Sequence, residues 1–174
     1  MKTETLFSSA NCEWETPPEL FKELDERFHF TLDVASTDQN ALCERHYTKE
    51  QNGLIHGWQT GGGSVWCNPP YGKDIKAWVR KAWEESQTGQ VIVMLIPART
   101  DTAWFHDYIY HKANVVFLRG RLHYGLNGVR AVNNAAFPSM LAIYNGENDY
   151  ARSIISIDNR CCNSVRVRRS GDSK

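Results

Sequence analysis

The sequence has no long apolar run: the longest is the six residues 91–96. That is far short of the roughly 20 residues that span a bilayer. It has no surplus of charge, with 20 basic and 20 acidic residues among 174 and a formal net charge of zero. A generally basic protein is thereby excluded, so any nucleic-acid contact must come from a local patch. The five cysteines (Cys12, Cys43, Cys67, Cys161 and Cys162) include no CxxC pair and no His spacing of the zinc type. Reduced thiols in a cytoplasm, and no metal, are the expectation. The opening Met1-Lys2-Thr3-Glu4 turns acidic at once, unlike the basic-then-apolar form of a signal peptide. With 41% hydrophobic and 23% charged residues the chain is of the ordinary globular class, and one domain is expected at this length.

Acids are missing from one stretch. Residues 108–146 contain none, while Lys112, Arg119, Arg121 and Arg130 give +4 over 39 residues. The first thirty residues lean the other way, with seven acids against Lys2, Lys22 and Arg27. Such a stretch either holds a polyanion on one face or is a solvated face that lacks acids.

What is present alternates between strand and helix signals. Residues 1–12 read as a flexible arm, 13–150 as the folded domain, and 151–174 as an extension with a disordered, Arg-rich end. Thr16-Pro17-Pro18-Glu19 forms a helix start, with Thr16 as N-cap, Pro17 at the first position and Glu19 completing a capping box. Leu20, Phe21, Leu24 and Phe28 follow at helical spacing. Strands are expected over 30–34, 64–67, 90–96, 115–118 and 137–144, and helices over 38–47, after a cap at Asp74 and after a cap at Thr100. This order predicts an α/β fold with a parallel sheet and helices on both faces.

Asn68-Pro69-Pro70-Tyr71 follows a strand and precedes a helix, so it stands at the carboxyl end of a strand, where open α/β sheets bind ligands. Two prolines fix φ and remove two N–H donors. The result is a stiff loop that offers carbonyl oxygens and the Asn68 amide oxygen. Two fixed acceptors suit methylation of a planar exocyclic amine, whose lone pair is delocalised into its ring. Hydrogen bonds from that amine to Asn68 and to the Pro69 carbonyl draw the nitrogen toward tetrahedral geometry and free the lone pair. Positioning and electrostatics then supply most of the rate, and Tyr71 offers a ring to stack on the base. The same four residues also serve as a plain turn.

The chain resembles the phage-type DNA N6-adenine methyltransferases. The resemblance runs from about Trp14 to Tyr144 and is carried by an ordered set of motifs. These are Trp14-Glu15-Thr16-Pro17, Leu32-Asp33-Val34-Ala35, Gly53-Leu54 with Trp58, Asn68-Pro69-Pro70-Tyr71-Gly72, Leu95 to Thr102 with Trp104-Phe105, and Gly120-Arg121-Leu122. It implies S-adenosylmethionine as donor, S-adenosylhomocysteine as product, adenine in DNA as acceptor, and the cytoplasm of a bacterium carrying a phage or prophage. Asn68, Pro69, Pro70 and Tyr71 would be catalytic. Trp14, Thr16, Pro17, Asp33 and Asn68 would meet the cofactor. Cytosine N4, an RNA base or a protein glutamine remain alternative acceptors, as does a non-catalytic nucleic-acid-binding role.

Two features depart from that family pattern. No glycine-rich turn follows the first strand, where the chain reads Leu32-Asp33-Val34-Ala35-Ser36-Thr37. Asp33 either accepts from the cofactor's ammonium or caps the next helix. Thr16 likewise serves the cofactor, the helix or both. Only about thirty residues separate Asp33 from Val65, too few for two further βαβ units. A trimmed Rossmann-like sheet of about five main strands follows, with adenosine held by loops or by Asn40 and Glu44. Arg99 pairs with a DNA phosphate or with Asp101 or Asp107, and Arg121 has the same two readings. Lys73 and Arg130 complete the expected DNA contacts. Residues 121–134 form either a base-reading loop or a plain hairpin, and Trp14 and Trp66 are the two tryptophans able to touch a ligand.

Overall fold

The computed structural model describes residues 14–126, 129–130, 135–146, 154–157 and 165–168. Six strands form one open sheet: β1 (Phe30–Asp33), β2 (Arg45–His46), β3 (Ser64–Cys67), β4 (Ile92–Pro97), β5 (Asn114–Phe117) and β8 (Ser139–Tyr144). Their order is β2-β1-β3-β4-β8-β5. The first four are mutually parallel, and β8 runs antiparallel to both β4 and β5. Two antiparallel pairs stand apart from it: β6 (Gly125–Leu126) with β7 (Val129–Arg130), and β9 (Ile154–Ile157) with β10 (Val165–Arg168). The expected trimmed α/β sheet is present, with a two-residue edge strand added and β8 reversed.

Helices cover both faces. Along β4, Ile92, Met94 and Ile96 point to one core and Val93 and Leu95 to the other, as strand alternation requires. The first core packs against α2 (Ile75–Ser86) and α3 (Ala103–Tyr108), the second against α1 (Pro18–Phe28). Leu20, Leu24 and Phe28 supply the buried stripe of α1. Trp66 is fully buried there, edge-on to Phe21 and Phe30, so its side chain is core. β8 is buried at all six positions, so part of the acid-free stretch is sheet interior.

Four local expectations differ from the structure in whole or in part. Thr16 does not cap α1: Pro17 is the N-cap residue, no side chain caps the helix, and Leu20 and Phe21 donate instead to the Pro17 carbonyl. Asp74 occupies the N-cap of α2 without a side-chain bond to it. The N-cap of α3 is Thr102, whose hydroxyl donates to the Arg99 carbonyl at 2.8 Å, not Thr100. Residues 38–47 hold no helix. Thr37 and Asn40 close a turn on each other, the Leu42 N–H donates to Asp33, and Arg45–His46 pairs with Leu32 and Asp33 as β2. That run has too few apolar residues to bury a helix face, so side-chain bonds to the backbone win.

Arg166 and Arg168, placed by composition in a weakly ordered tail, lie on β10. The expected arm over residues 1–12, the last six residues and Cys12, Cys161 and Cys162 lie outside the described residues. Cys43 and Cys67 are free thiols. Among the described residues, no helix is long and apolar enough to cross a membrane.

Candidate active site

The chain leaves β1 toward β2 on one side and returns to β3 on the other, which makes a switch point between β1 and β3. Loops leaving in opposite directions open a crevice at the carboxyl ends of such strands. A cleft of about 860 Å³ lies there, walled by the segments after β1 (Val34 to Thr37), after β2 (Tyr47 to Glu50) and after β3 (Asn68 to Pro70). Trp14, Thr16 and Asp33 line it too.

The Asn68 amide is held from two sides. Its Nδ2 donates to the Trp14 carbonyl at 2.5 Å and to Thr16 Oγ1 at 3.0 Å. Its Oδ1 accepts from the Tyr71 hydroxyl at 2.7 Å. Thr16 thus spends its hydroxyl on Asn68 rather than on α1. Among the described residues, nothing donates to the Pro69 carbonyl. Tyr71 is partly exposed, with its ring edge-on to Tyr124 and Phe137. Its hydroxyl also lies 3.0 Å from the Leu95 carbonyl and 3.2 Å from the Tyr124 hydroxyl, which meets Ser139 Oγ at 2.9 Å. Burial pushes the Tyr71 hydroxyl well above the usual phenol range and that of Tyr124 up to about 12, so both are neutral donors.

Asp33 accepts from Ala35 N–H at 3.3 Å and Leu42 N–H at 3.2 Å, so it ties the loop after β1 while lining the cleft. Burial lifts its carboxyl from 3.8 to about 6, against those two bonds and the nearby His46. The folded protein keeps a proton there that the unfolded chain has lost, so between about pH 4 and pH 6 this group lowers stability as pH rises. Asp33→Asn lacks that titration. The melting temperature of the wild type, relative to Asp33→Asn, is therefore expected to fall as pH rises through that window. A gap independent of pH would mean that the Asp33 carboxyl titrates alike in the folded and unfolded chains.

The sequence profile described as DNA N-6-adenine-methyltransferase (Dam) matches residues 3–167. The chain belongs to that family. It is 34% identical over 140 residues to the DNA N-6-adenine-methyltransferase of Escherichia phage T1, covering 79% of this chain and 56% of the phage protein. The chain thus spans little more than half the length of that relative. It is 36% identical over 64 residues to the "Putative methyltransferase YfdM" of Escherichia coli K12, covering 34% of this chain and 70% of that one.

Within this Dam-family chain, the cleft gathers Trp14, Thr16, Asp33, Asn68, Pro69 and Pro70. Asn40 lines it, whereas Glu44 and Pro17 do not; Pro17 is buried at the start of α1. Lys73 and Arg99 are exposed beyond β3 and β4. Asp107 pairs with Lys76 at 3.7 Å, and Arg99 has no ion-pair partner among the described residues. Arg121 is half-buried, and its Nη1 is enclosed with no hydrogen-bond partner. Arg130 is on β7, and its side chain lies outside the described residues. Residues 127–128 and 131–134 also lie outside the described residues, and the rest of 121–134 includes the antiparallel pair β6 and β7. Sequence reasoning missed Ser36, Thr48, Glu50 and Asn52 on the cleft wall. A lone acid such as Glu50 in a polar loop has no pattern that marks it. Among the described residues, no group of His, Cys, Asp and Glu is arranged to hold a metal.

Proposed function

We propose that the chain methylates the N6 amine of adenine in DNA, with Asn68 Oδ1 and the Pro69 carbonyl as the two acceptors that hold the amine. The observation that carries this reading is the Asn68 amide, fixed by three partners at the carboxyl end of β3 in a chain of the Dam family. S-adenosylmethionine, when bound, supplies an electrophilic methyl group. The cleft suits such a molecule in size. Glu15, Asp33, Glu50 and Asp74 line it against a single cation, Lys49, which favours a cationic ligand. Ser36 Oγ on the same wall is buried without a hydrogen-bond partner, so a ligand's polar group has a place to bind. In this reading Trp14, Thr16, Asp33 and Glu50 hold the cofactor.

Two hydrogen bonds from the amine draw its nitrogen out of conjugation, and the rigid proline loop keeps both acceptors still. The amine's acidity rises only as the nitrogen gains its fourth bond, so no strong base is needed beforehand. The partly exposed Tyr71, which does not itself line the cleft, serves for stacking on a base taken out of the duplex. Lys73 and Arg99 serve as phosphate contacts beside the cleft.

Transfer of tritiated methyl from S-adenosylmethionine to DNA, RNA and protein, followed by nucleoside analysis, tests the reading. Label in N6-methyladenine from DNA is the expected result. Label in N4-methylcytosine, in RNA or in protein alone would overturn it. Replacing Arg99 by Gln is expected to weaken DNA binding and to flatten its logarithmic salt slope by about one unit. An unchanged slope would remove Arg99 from the DNA surface.

A further inference from the structure

An asparagine side chain has four hydrogen-bonding positions, two N–H donors and two lone pairs on its oxygen. At Asn68 three are occupied. Both donors are used, on the Trp14 carbonyl and Thr16 Oγ1, and one lone pair takes the Tyr71 hydroxyl. One lone pair on Oδ1 is left. Turning the amide over would set its oxygen against the Trp14 carbonyl, two acceptors facing each other with no proton between them. The Thr16 hydroxyl could adapt, since it both donates and accepts. A backbone carbonyl cannot.

The Trp14 carbonyl is itself fixed. The next residue, Glu15, exchanges both backbone bonds with Gly125, at 3.0 and 2.9 Å. That bridge joins the segment carrying Trp14 and Thr16 to the β6–β7 hairpin, 110 residues further along the chain. The tyrosine side is adaptable by contrast. The Tyr71 proton has a second acceptor in the Leu95 carbonyl at 3.0 Å. It can leave Oδ1 by rotating one C–O bond, without moving the ring and without leaving a buried hydroxyl unsatisfied.

We infer that the Trp14 carbonyl and the Thr16 hydroxyl are positioning groups that fix the orientation of the Asn68 amide, so that Oδ1 and never Nδ2 faces the substrate amine, and that they make asparagine obligatory at position 68. This rests on the reading above that Oδ1 accepts from that amine. Thr16 acts here through Asn68, in addition to lining the cleft.

Asparagine and aspartate have the same shape, so Asn68→Asp isolates the effect. An ionised carboxylate would place a charged oxygen against the Trp14 carbonyl. A neutral acid would return an O–H to it. The carboxyl at position 68 therefore takes up a proton more readily in the folded chain than in the unfolded one. Its stability contribution is lost as pH rises from the usual carboxyl range through the raised value. Other titratable groups face this position or share its cleft: the Tyr71 and Tyr124 hydroxyls, the neighbouring Cys67 thiol, the carboxyls of Glu15, Asp33, Glu50 and Asp74, and Lys49. Wild type measured at each pH carries all of them, so the difference between the two proteins reports position 68.

The melting-temperature gap between wild type and Asn68→Asp is expected to widen by about 4 °C from about pH 5 to pH 8. Turnover of the variant at neutral pH is expected to be at least about tenfold below wild type and to recover toward it as pH falls. Thr16→Val, with cofactor saturating, is expected to lower kcat about tenfold while KM for DNA stays within about twofold, and Thr16→Ser to regain most of the loss. A pH-independent gap for Asn68→Asp overturns the inference. So does a Thr16→Val defect confined to cofactor affinity by calorimetry. Full turnover by Asn68→Ala would sink the underlying reading of Asn68, and this inference with it. Loss in Asn68→Ala combined with a flat Asn68→Asp profile would sink the inference alone.

Discussion

Asn68→Ala is expected to lower methyl transfer by about 100-fold or more while binding of S-adenosylmethionine stays within a few-fold. That is the scale for removing one preorganised polar contact that strengthens as charge develops on the reacting nitrogen. The fold should survive the change. Deleting the amide takes one hydrogen bond each from the Trp14 carbonyl, Thr16 Oγ1 and the Tyr71 hydroxyl. Thr16 and Trp14 line an open cleft where water replaces the lost partner. Tyr71 turns onto the Leu95 carbonyl. A stability loss of about 1 kcal/mol is therefore the ceiling of expectation. Single-turnover rates with saturating cofactor, set beside calorimetric cofactor affinity, separate the two roles. An equal fall in both would assign Asn68 to the donor site and remove it from the acceptor's.

The large elements were legible because each has a period that one face explains. Residues 90–96 read as a buried strand, and β4 is one over Ile92–Pro97; Ile75, Trp78, Val79, Ala82 and Trp83 read as the inner face of α2, where the first four are buried and Trp83 packs half-buried against the core. The carboxyl end of β3 was legible because Pro-Pro admits so few conformations. Caps were not legible. Thr16-Pro17-Pro18-Glu19 meets every local requirement of a capping box, yet its hydroxyl is taken by Asn68, 52 residues away in sequence. A local pattern cannot reveal a distant competitor for the same oxygen. The segment between β1 and β3 was misread for a related reason. Side chains take part of its backbone bonding, the Leu42 N–H donating to Asp33 and the Thr37 N–H to Asn40, and the rest is in single turns and the two-residue β2, so no periodicity marks it. Tyr71 was read for its ring alone. That its hydroxyl also engages Asn68 needed the geometry.

The segment after β2 also shows how a trimmed sheet builds a cleft wall without a helix. Trp58 N–H and Gln59 Nε2 both donate to Glu85 Oε2, at 3.1 and 2.5 Å, and Lys81 neutralises Oε1 at 2.5 Å. Trp58 Nε1 in turn donates to the Gly53 carbonyl at 2.8 Å. Residues 53–59 are thereby pinned onto α2, which is itself packed on the sheet. Thr48 to Glu50, Asn52 and Leu54 gain their place on the cleft from that anchor rather than from regular structure of their own.

Gly53→Ala is expected to break that wall, with a loss of about 2–4 kcal/mol and a melting temperature lower by roughly 5–15 °C. The Gly53 backbone has no conformation that a side chain would forbid; the obstacle is space. A β-carbon there would overlap the Val34 carbonyl oxygen and stand 3.2 and 3.3 Å from the Trp78 ring. Neither neighbour yields readily. Val34 is held to β3 through its N–H on the Trp66 carbonyl at 3.1 Å, and Trp78 is buried in the core beneath α2. Gly53 and Val34 both line the cleft, so relief of the clash moves the wall that the cofactor would meet. Cofactor affinity measured well below the melting temperature is expected to fall about tenfold alongside the stability loss. Gly57→Ala is the control from the same loop. Its β-carbon would meet the amide oxygen of Gln59, and the bond at risk as that side chain shifts is Gln59 Nε2 to Glu85, so a smaller loss of about 1 kcal/mol with cofactor affinity unchanged is expected. If Gly53→Ala melts with the wild type and binds cofactor equally well, the end of β1 gives way freely. The approach of Gly53 to Val34 would then set neither the stability of the fold nor the shape of the cleft.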